Sequence, residues 1–154
     1  MARKRLPYGG LNVRWALAML GGMGAWSGEP FGNDTAADWA WELEENDDWS
    51  FVADVLGQAF QADGLIDQDV ATCIIAAAEV VAHGLGRGTE DDAYTERVDP
   101  FVGRAGTPPD FLVELAIAAL ALATSSTSEL TELWEDDPDE WRAANARIEA
   151  ALRG

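Results

Sequence analysis

One pair of side chains has the types and the spacing that metal binding or proton transfer would need. His83 is the only histidine of the chain, and Glu79 lies four residues before it. On a helix, side chains four residues apart face one another. A carboxylate-bridged metal site in a helical bundle needs Glu-x-x-His spacings in pairs, and this sequence has none. We therefore interpret Glu79 and His83 as a contact on a helix surface.

Acidic side chains form three clusters that invite comparison with calcium-binding loops. The clusters lie at residues 42–48, 63–69 and 135–140. A calcium-binding loop alternates its ligands and places a glycine at the sixth position, before a final glutamate. None of the three clusters follows that pattern. Because acidic residues are favoured where helices begin, we interpret all three as helix caps and solvated surface.

Sequence motifs of covalent and phosphoryl-transfer enzymes are absent. The chain has no glycine-rich phosphate loop, no dinucleotide-binding fingerprint and no Gly-x-Ser-x-Gly elbow. Its single cysteine, Cys73, excludes an internal disulfide and a cysteine-based metal cluster. Cys73 falls in an apolar helical pattern, which favours a buried and inert thiol. We expect no catalytic residue, no metal and no cofactor.

The best candidate residues for binding lie in a glycine-rich turn segment that begins at Met23. This segment carries two aromatic residues and ends in residues that favour helix starts. We expect the aromatic residues to anchor the segment in the core, and Asn33, Asp34 or Thr35 to cap the first helix. The candidate binding residues are Trp26, Phe31, Asn33, Asp34 and Asp38.

Net charge is the most unusual global property of the chain. The sequence has 28 Asp and Glu against 10 Lys and Arg, a formal net charge of −18. Such a protein repels nucleic acid and anionic membranes, and it attracts basic partners at long range. We therefore expect a protein partner of basic character, with no direct nucleic-acid binding and no membrane. Solubility in a high-salt or acid-rich proteome also explains the acidity, and we favour it over partner binding as the reason for the charge itself.

Hydrophobic periodicity predicts helices and no strand. The clearest helix runs from Asp67 to Gly84, where apolar residues recur at helical spacing. A helix from Asp110 to Thr124 is apolar nearly all round, so we expect it at the centre of the bundle. Trp39 and Trp41 cannot share one helix face, so one of them is expected to be exposed or to contact another element. The other predicted helices cover residues 35–46, 48–62, 93–102 (interrupted by Pro100), 129–134 and 138–153.

The predicted fold is all-α, a compact bundle of about five helices with a glycine-rich N-terminal turn segment. Residues 1–22 contain four basic and no acidic side chains. We interpret them as a basic leader, either an extension upstream of a true start at Met23 or a disordered arm. Residues 23–154 are expected to form a single acidic helical domain. The Asp137-Pro138 pair is predicted to start the last helix, with Asp137 as its cap.

Three stretches taken together resemble a bacterial family, DUF4259. Its N-terminus is similar to Met-Gly-Ala-Trp26-x-Gly28-x-x-Phe31-x-Asn33-Asp34-x-Ala36-x-Asp38-Trp39, and its C-terminal motif to Ser128-Glu-Leu-x-Glu-Leu-Trp134 followed by Trp141. The stretch Ala-Ala-Ala-Glu79-Val-Val-Ala is similar too. Ser27 departs from the glycine that the family tends to have. The resemblance implies a chain that begins at Met23, and it implies no activity because the family has none assigned.

The sequence leads to one preferred functional hypothesis and two alternatives. We expect a non-enzymatic cytoplasmic protein that binds another protein, as an inhibitor or an immunity-type partner. The first alternative is a carboxylate-based metal-binding protein or enzyme that uses Asp34, Asp38 and Glu79. The second is a DNA mimic, because acids along helices can imitate the phosphate spacing of a duplex.

Overall fold

The computed structural model describes residues 28–89 and 95–154. Trp26, the leader at 1–22, the proposed start at Met23 and the acidic run at 90–92 lie outside the described residues. Within the described ranges the chain forms seven α-helices and no strand, which confirms the all-α prediction. The helices are α1 Asp34–Trp41, α2 Ser50–Gly57, α3 Gln68–Gly84, α4 Thr95–Ala105, α5 Asp110–Ala123, α6 Glu129–Leu133 and α7 Asp139–Arg153. Short 3-10 helices extend α1 over Glu42–Glu45 and α2 over Gln58–Phe60.

Helix α3 is the centre of the bundle, and every other α-helix packs against it. Its residues 74–82 are all buried, and three successive alanines within them allow neighbouring helices to approach closely. Asp67 caps α3, since its Oδ2 accepts hydrogen bonds from the backbone N–H groups of Asp69 and Val70. The predicted Asp67–Gly84 helix therefore has the observed bounds, with Asp67 as the N-cap.

Helix α5 is not central, and the prediction from its apolar sequence was wrong. One side of α5 faces solvent, where it presents Phe111, Glu114, Ala118 and Ala121. The opposite side is buried, with Leu112, Ala116 and Leu120 in the core, and α5 packs on α3. An alanine exposes little apolar area, so a helix rich in alanine can turn one side to water at small cost.

Two predicted features near prolines also differ from the structure. Helix α4 continues through Pro100 to Ala105 instead of breaking there. Val98 and Phe101 are fully buried on the inner side of α4, and their burial offsets the hydrogen bond that Pro100 cannot donate. Helix α7 begins at Asp139 with Pro138 as its N-cap, so Asp137 is not the cap.

The turn segment before α1 is fixed on the start of α7. A Cβ atom on Gly28 would lie 2.7 Å from the backbone nitrogen of Trp141, so only glycine allows this contact. Phe31 is 1% exposed and belongs to the core.

Among the helices of the described ranges, none is both long enough and apolar enough to cross a membrane.

Candidate functional site

Four solvent-exposed side chains line the outer side of α1 and its 3-10 extension. Asp38, Trp41, Glu42 and Glu45 follow the spacing i, i+3, i+4, i+7, which places them on one side of a helix. We call this surface the Trp41 face. The residues on the inner side of the same segment are buried: Ala36, Trp39, Ala40 and Leu43.

Trp41 is the aromatic centre of this face. It is 55% exposed, whereas Trp39 is buried and stacks on Phe51, with 5.5 Å between ring centroids. The prediction that Trp39 and Trp41 have different environments is therefore confirmed. An exposed tryptophan leaves a large apolar surface in water, which is unfavourable for an isolated protein.

Arg97 of α4 covers part of the Trp41 ring. Its guanidinium carbon lies 3.4 Å from the ring centroid, a cation–π contact. The Nε atom of Arg97 is 3.6 Å from Oε2 of Glu44, which is an ion-pair distance but too long for a hydrogen bond. Arg97 therefore orients the indole ring and leaves its own Nε–H without an acceptor among the described residues.

A second arginine of α4 fixes the end of the 3-10 turn. Nη2 of Arg104 donates to the carbonyl oxygens of Leu43 at 2.7 Å and Asn46 at 2.9 Å. Nε of Arg104 donates to Oδ1 of Asp47 at 3.0 Å. Because α4 is anchored in the core by Phe101, these bonds hold the Trp41 face on a rigid support.

Negative charge dominates the Trp41 face and the surface beside it. Within the described ranges, no arginine or histidine forms an ion pair with Asp38, Glu42 or Glu45. The acidic surface continues to Asp67 and Asp69 at the start of α3. An array of unpaired carboxylates of this kind attracts cationic groups.

Cys73 lies beside this acidic surface and does not supply a nucleophile. Burial raises the pKa of its thiol to about 12, and the charges of Asp69, Glu42 and Asp67 add to the shift. The reactive form of a cysteine is the thiolate, which is scarce at neutral pH when the pKa is that high. This agrees with the inert thiol expected from the sequence, although the side chain is only partly buried.

The candidate binding residues from the sequence have different positions in the structure. Phe31 is inaccessible in the core, and Oδ1 of Asn33 accepts the N–H of Ala36 at 2.8 Å as the N-cap of α1. Asp34 is partly exposed in the first turn of α1. Asp38 is exposed and lies on the Trp41 face. Of the described candidates, Asp38 is the one that the structure brings together with an exposed aromatic side chain.

Glu79 and His83 are in contact, but not on the helix surface. Glu79 is completely buried, and Oε2 lies 3.0 Å from Nε2 of His83. Thr89 donates to Glu79 twice, from its N–H and its hydroxyl, each at 2.7 Å. Asp99 lies 3.8 Å from Nδ1 of His83 on the solvent side. The surface interpretation was wrong because Thr89, in the loop after α3, covers the carboxylate, which no helical periodicity reveals.

These contacts make Glu79 a structural residue that fixes the loop after α3. In the part of the chain that the structure describes, no group of three His, Cys, Asp or Glu side chains is arranged to hold a metal ion. Glu79 is enclosed by Thr89 and His83, whereas Asp38 is exposed to solvent, so the three carboxylates of the first alternative do not form one group.

The turn segment itself borders a small cleft. It lies beside Asn33 and Thr35, between the turn, the start of α3 and Trp134, and its volume is about 60 Å³. Small-molecule sites usually measure about 300–1,000 Å³. This cleft has room for a few water molecules.

The chain matches the family described as Domain of unknown function (DUF4259) over residues 24–144. This protein belongs to the DUF4259 family. No curated protein and no solved structure gave a match.

The C-terminal residues that carry the DUF4259 resemblance have structural roles in this chain. Ser128 caps α6 through a bond from the N–H of Leu130. Trp134 and Trp141 are buried and stack with 6.1 Å between ring centroids. The C-terminal motif therefore supports the packing of the end of α6 against α7.

The sequence reasoning missed Trp41, Arg97 and Arg104 as members of the site. A signal was present in α4, where the two arginines are seven residues apart and therefore lie on one side of the helix.

Proposed function

We propose that this DUF4259 protein is a non-enzymatic protein-binding module that holds a basic protein partner on its Trp41 face. The observation that supports this most directly is an exposed tryptophan that Arg97 contacts. The acidic side chains of the Trp41 face around it have no arginine partner among the described residues. The inhibitor or immunity-type role expected from the sequence is the kind of activity that such a module performs.

Tryptophan and arginine are the residues that most often dominate binding energy at protein interfaces. The Trp41 side chain offers a partner apolar area that folding has left uncovered. Its support is rigid, because Arg97 orients the ring and Arg104 fixes the following turn. A rigid aromatic group loses little conformational freedom on binding, which favours affinity.

The charge of the face defines the chemistry of the partner. Asp38, Glu42 and Glu45 present carboxylates around the indole, and the chain as a whole carries −18. Lysine or arginine side chains of a partner would pair with these carboxylates and stack on the open part of the ring. Opposite charges speed the encounter of two proteins at low ionic strength.

The DNA-mimic alternative uses the same face and differs in the identity of the partner. A mimic would capture a protein whose own ligand is DNA, and it would compete with DNA for that protein.

We also place the protein in the cytoplasm. Its single cysteine cannot form an internal disulfide, so the fold does not depend on an oxidising compartment.

Site-specific photo-crosslinking in the native cells tests the proposal. A photoreactive amino acid replaces Glu45 on the Trp41 face, or Ala143 on the exposed side of α7 as a matched control. We expect a basic protein to be joined at position 45 and not at position 143. The purified partner should bind about tenfold more weakly at about 300 mM than at about 50 mM salt.

Identical crosslinked products at both positions would contradict the proposal, as would a partner whose affinity does not change with salt. Competition by duplex DNA for the purified partner would identify the protein as a DNA mimic.

A further inference from the structure

A second concave surface lies between α5, α6 and α7, and α1 does not contribute to it. It has a volume of about 370 Å³, which is within the range of small-molecule sites. Ile117, Leu120 and Ala121 of α5 form an apolar wall. The polar residues that line the groove include Thr131, Arg142, Asn145 and Glu149, of which Glu149 is paired with Arg153. We call it the Asn145 groove.

Asn145 carries the most unusual polar group of the groove. Its side chain is 7% exposed, and neither Oδ1 nor Nδ2 has a hydrogen-bond partner within the described part of the chain. The hydroxyl of Thr131 is likewise buried without a partner there. Buried polar groups in proteins are normally paired, and an unpaired one is costly to keep. These groups therefore point to a molecule that the free chain does not supply.

Arg142 adds a positive charge at the edge of the same groove. Every other arginine of the described ranges has a polar partner, for example Arg147 with Glu29 at 2.7 Å. Arg142 forms no side-chain hydrogen bond or ion pair with a described residue and is exposed. In a chain of such high negative charge, an unpaired arginine is available to an anion.

We propose that the Asn145 groove binds a small molecule that carries a carboxylate beside an amide, together with an apolar side chain. Arg142 pairs with the carboxylate, and Asn145, after its side chain turns toward the groove, pairs with both the N–H and the C=O of the amide. The apolar side chain lies against Leu120 and Ala121. An N-acylated amino acid and the C-terminal residue of a short peptide share this chemistry.

Heteronuclear NMR titration of the full chain with N-acetyl-leucine and with an acetylated tripeptide ending in leucine tests the proposal. We expect chemical-shift changes that are confined to groove residues and that saturate at about millimolar probe concentrations or below. Preference for one probe identifies the source of the ligand. N-acetyl-leucine amide, which lacks the carboxylate, should bind at least about tenfold more weakly.

Three variants assign the contacts. Arg142→Ala and Asn145→Leu should each weaken binding by about tenfold or more, and Arg147→Ala, on the same helix but outside the groove, should leave it unchanged. Asn145→Leu should also raise the Tm, because leucine fills a similar volume without an unpaired amide. No groove shift with any probe at about 5 mM, or equal binding by Asn145→Leu and the native chain, would overturn the assignment.

Discussion

The guanidinium carbon of Arg97 lies 3.4 Å from the centroid of the Trp41 ring, so α4 holds the exposed aromatic residue of α1 in place. Seven residues later, Arg104 binds the turn that follows Trp41. The two arginines join an acidic surface segment to a helix whose opposite side is buried through Val98 and Phe101. The proposed binding face is therefore attached to the folded core and is not a loose surface loop.

Arg104 should contribute measurably to stability. Arg104→Ala removes charge-assisted hydrogen bonds to two carbonyl oxygens and to Asp47. We expect the free energy of unfolding in urea to fall by about 1–3 kcal/mol. Arg153→Ala is the control, since that residue makes only an exposed pair with Glu149 and should change the free energy by less than about 0.5 kcal/mol. Equal effects of the two variants would contradict this assignment.

Removal of the buried carboxylate should be more damaging. Glu79→Ala leaves the partly buried N–H and hydroxyl of Thr89 without their acceptor and opens space at a completely buried position. The expected loss is about 3 kcal/mol or more of unfolding free energy, measured by urea denaturation. Asp99→Ala removes a carboxylate that is 73% exposed and 3.8 Å from His83, so its effect should stay within about 0.5 kcal/mol. A mild Glu79→Ala variant would show that the carboxylate does not fix the loop.

Two glycine substitutions should change the free energy of unfolding in opposite directions. Gly28→Ala places a Cβ atom 2.7 Å from the backbone of Trp141, and we expect a loss of about 1–3 kcal/mol because the backbone there cannot move aside. Gly57→Ala meets no atom within 4 Å and lies in α2, so it should gain about 0.5 kcal/mol. Thermal or urea unfolding of both variants measures the difference. A stable Gly28→Ala protein would mean that the turn segment is not fixed on α7.

The Cys73 thiol should stay protonated far above neutral pH. Its pKa is raised from 9.0 to about 12 in the folded protein. The folded chain therefore keeps a proton that the unfolded chain loses, so the contribution of Cys73 to stability is full below about pH 9 and declines from there to about pH 12. Alkylation by iodoacetamide at pH 8 should be slower by about 100-fold or more than in the denatured chain. Native and denatured rates within tenfold of each other would contradict the shift.

The sequence was sufficient for the parts of the fold that depend on local interactions. Asp67 and Asn33 cap the helices that their types and positions predicted, and the core side of α3 follows its apolar spacing. These features depend on residues within a few positions of one another. A single chain therefore reveals them directly.

The parts that the sequence did not predict depend on contacts between distant segments. The burial of Glu79 requires a loop to fold over it. Pro100 is tolerated because Val98 and Phe101, on the same helix, are fully buried. The exposure of Trp41 rather than Trp39 depends on which side of α1 meets Phe51 and the core. For this reason the sequence predicted only part of the candidate site: Asp38 was a candidate binding residue, and Trp41 was not.

The central claim is that Trp41 carries the binding of a basic partner. It is tested most directly by the Kd of the partner crosslinked at position 45, measured for the Trp41→Ala and Phe111→Ala variants. Phe111 is the matched control, because it is 65% exposed, also aromatic, and outside the Trp41 face. Trp41→Ala should weaken the affinity by about 30-fold or more, the effect of a loss of about 2 kcal/mol, while Phe111→Ala leaves it within twofold. An unchanged Kd for Trp41→Ala, or an equal loss in both variants, would contradict the account.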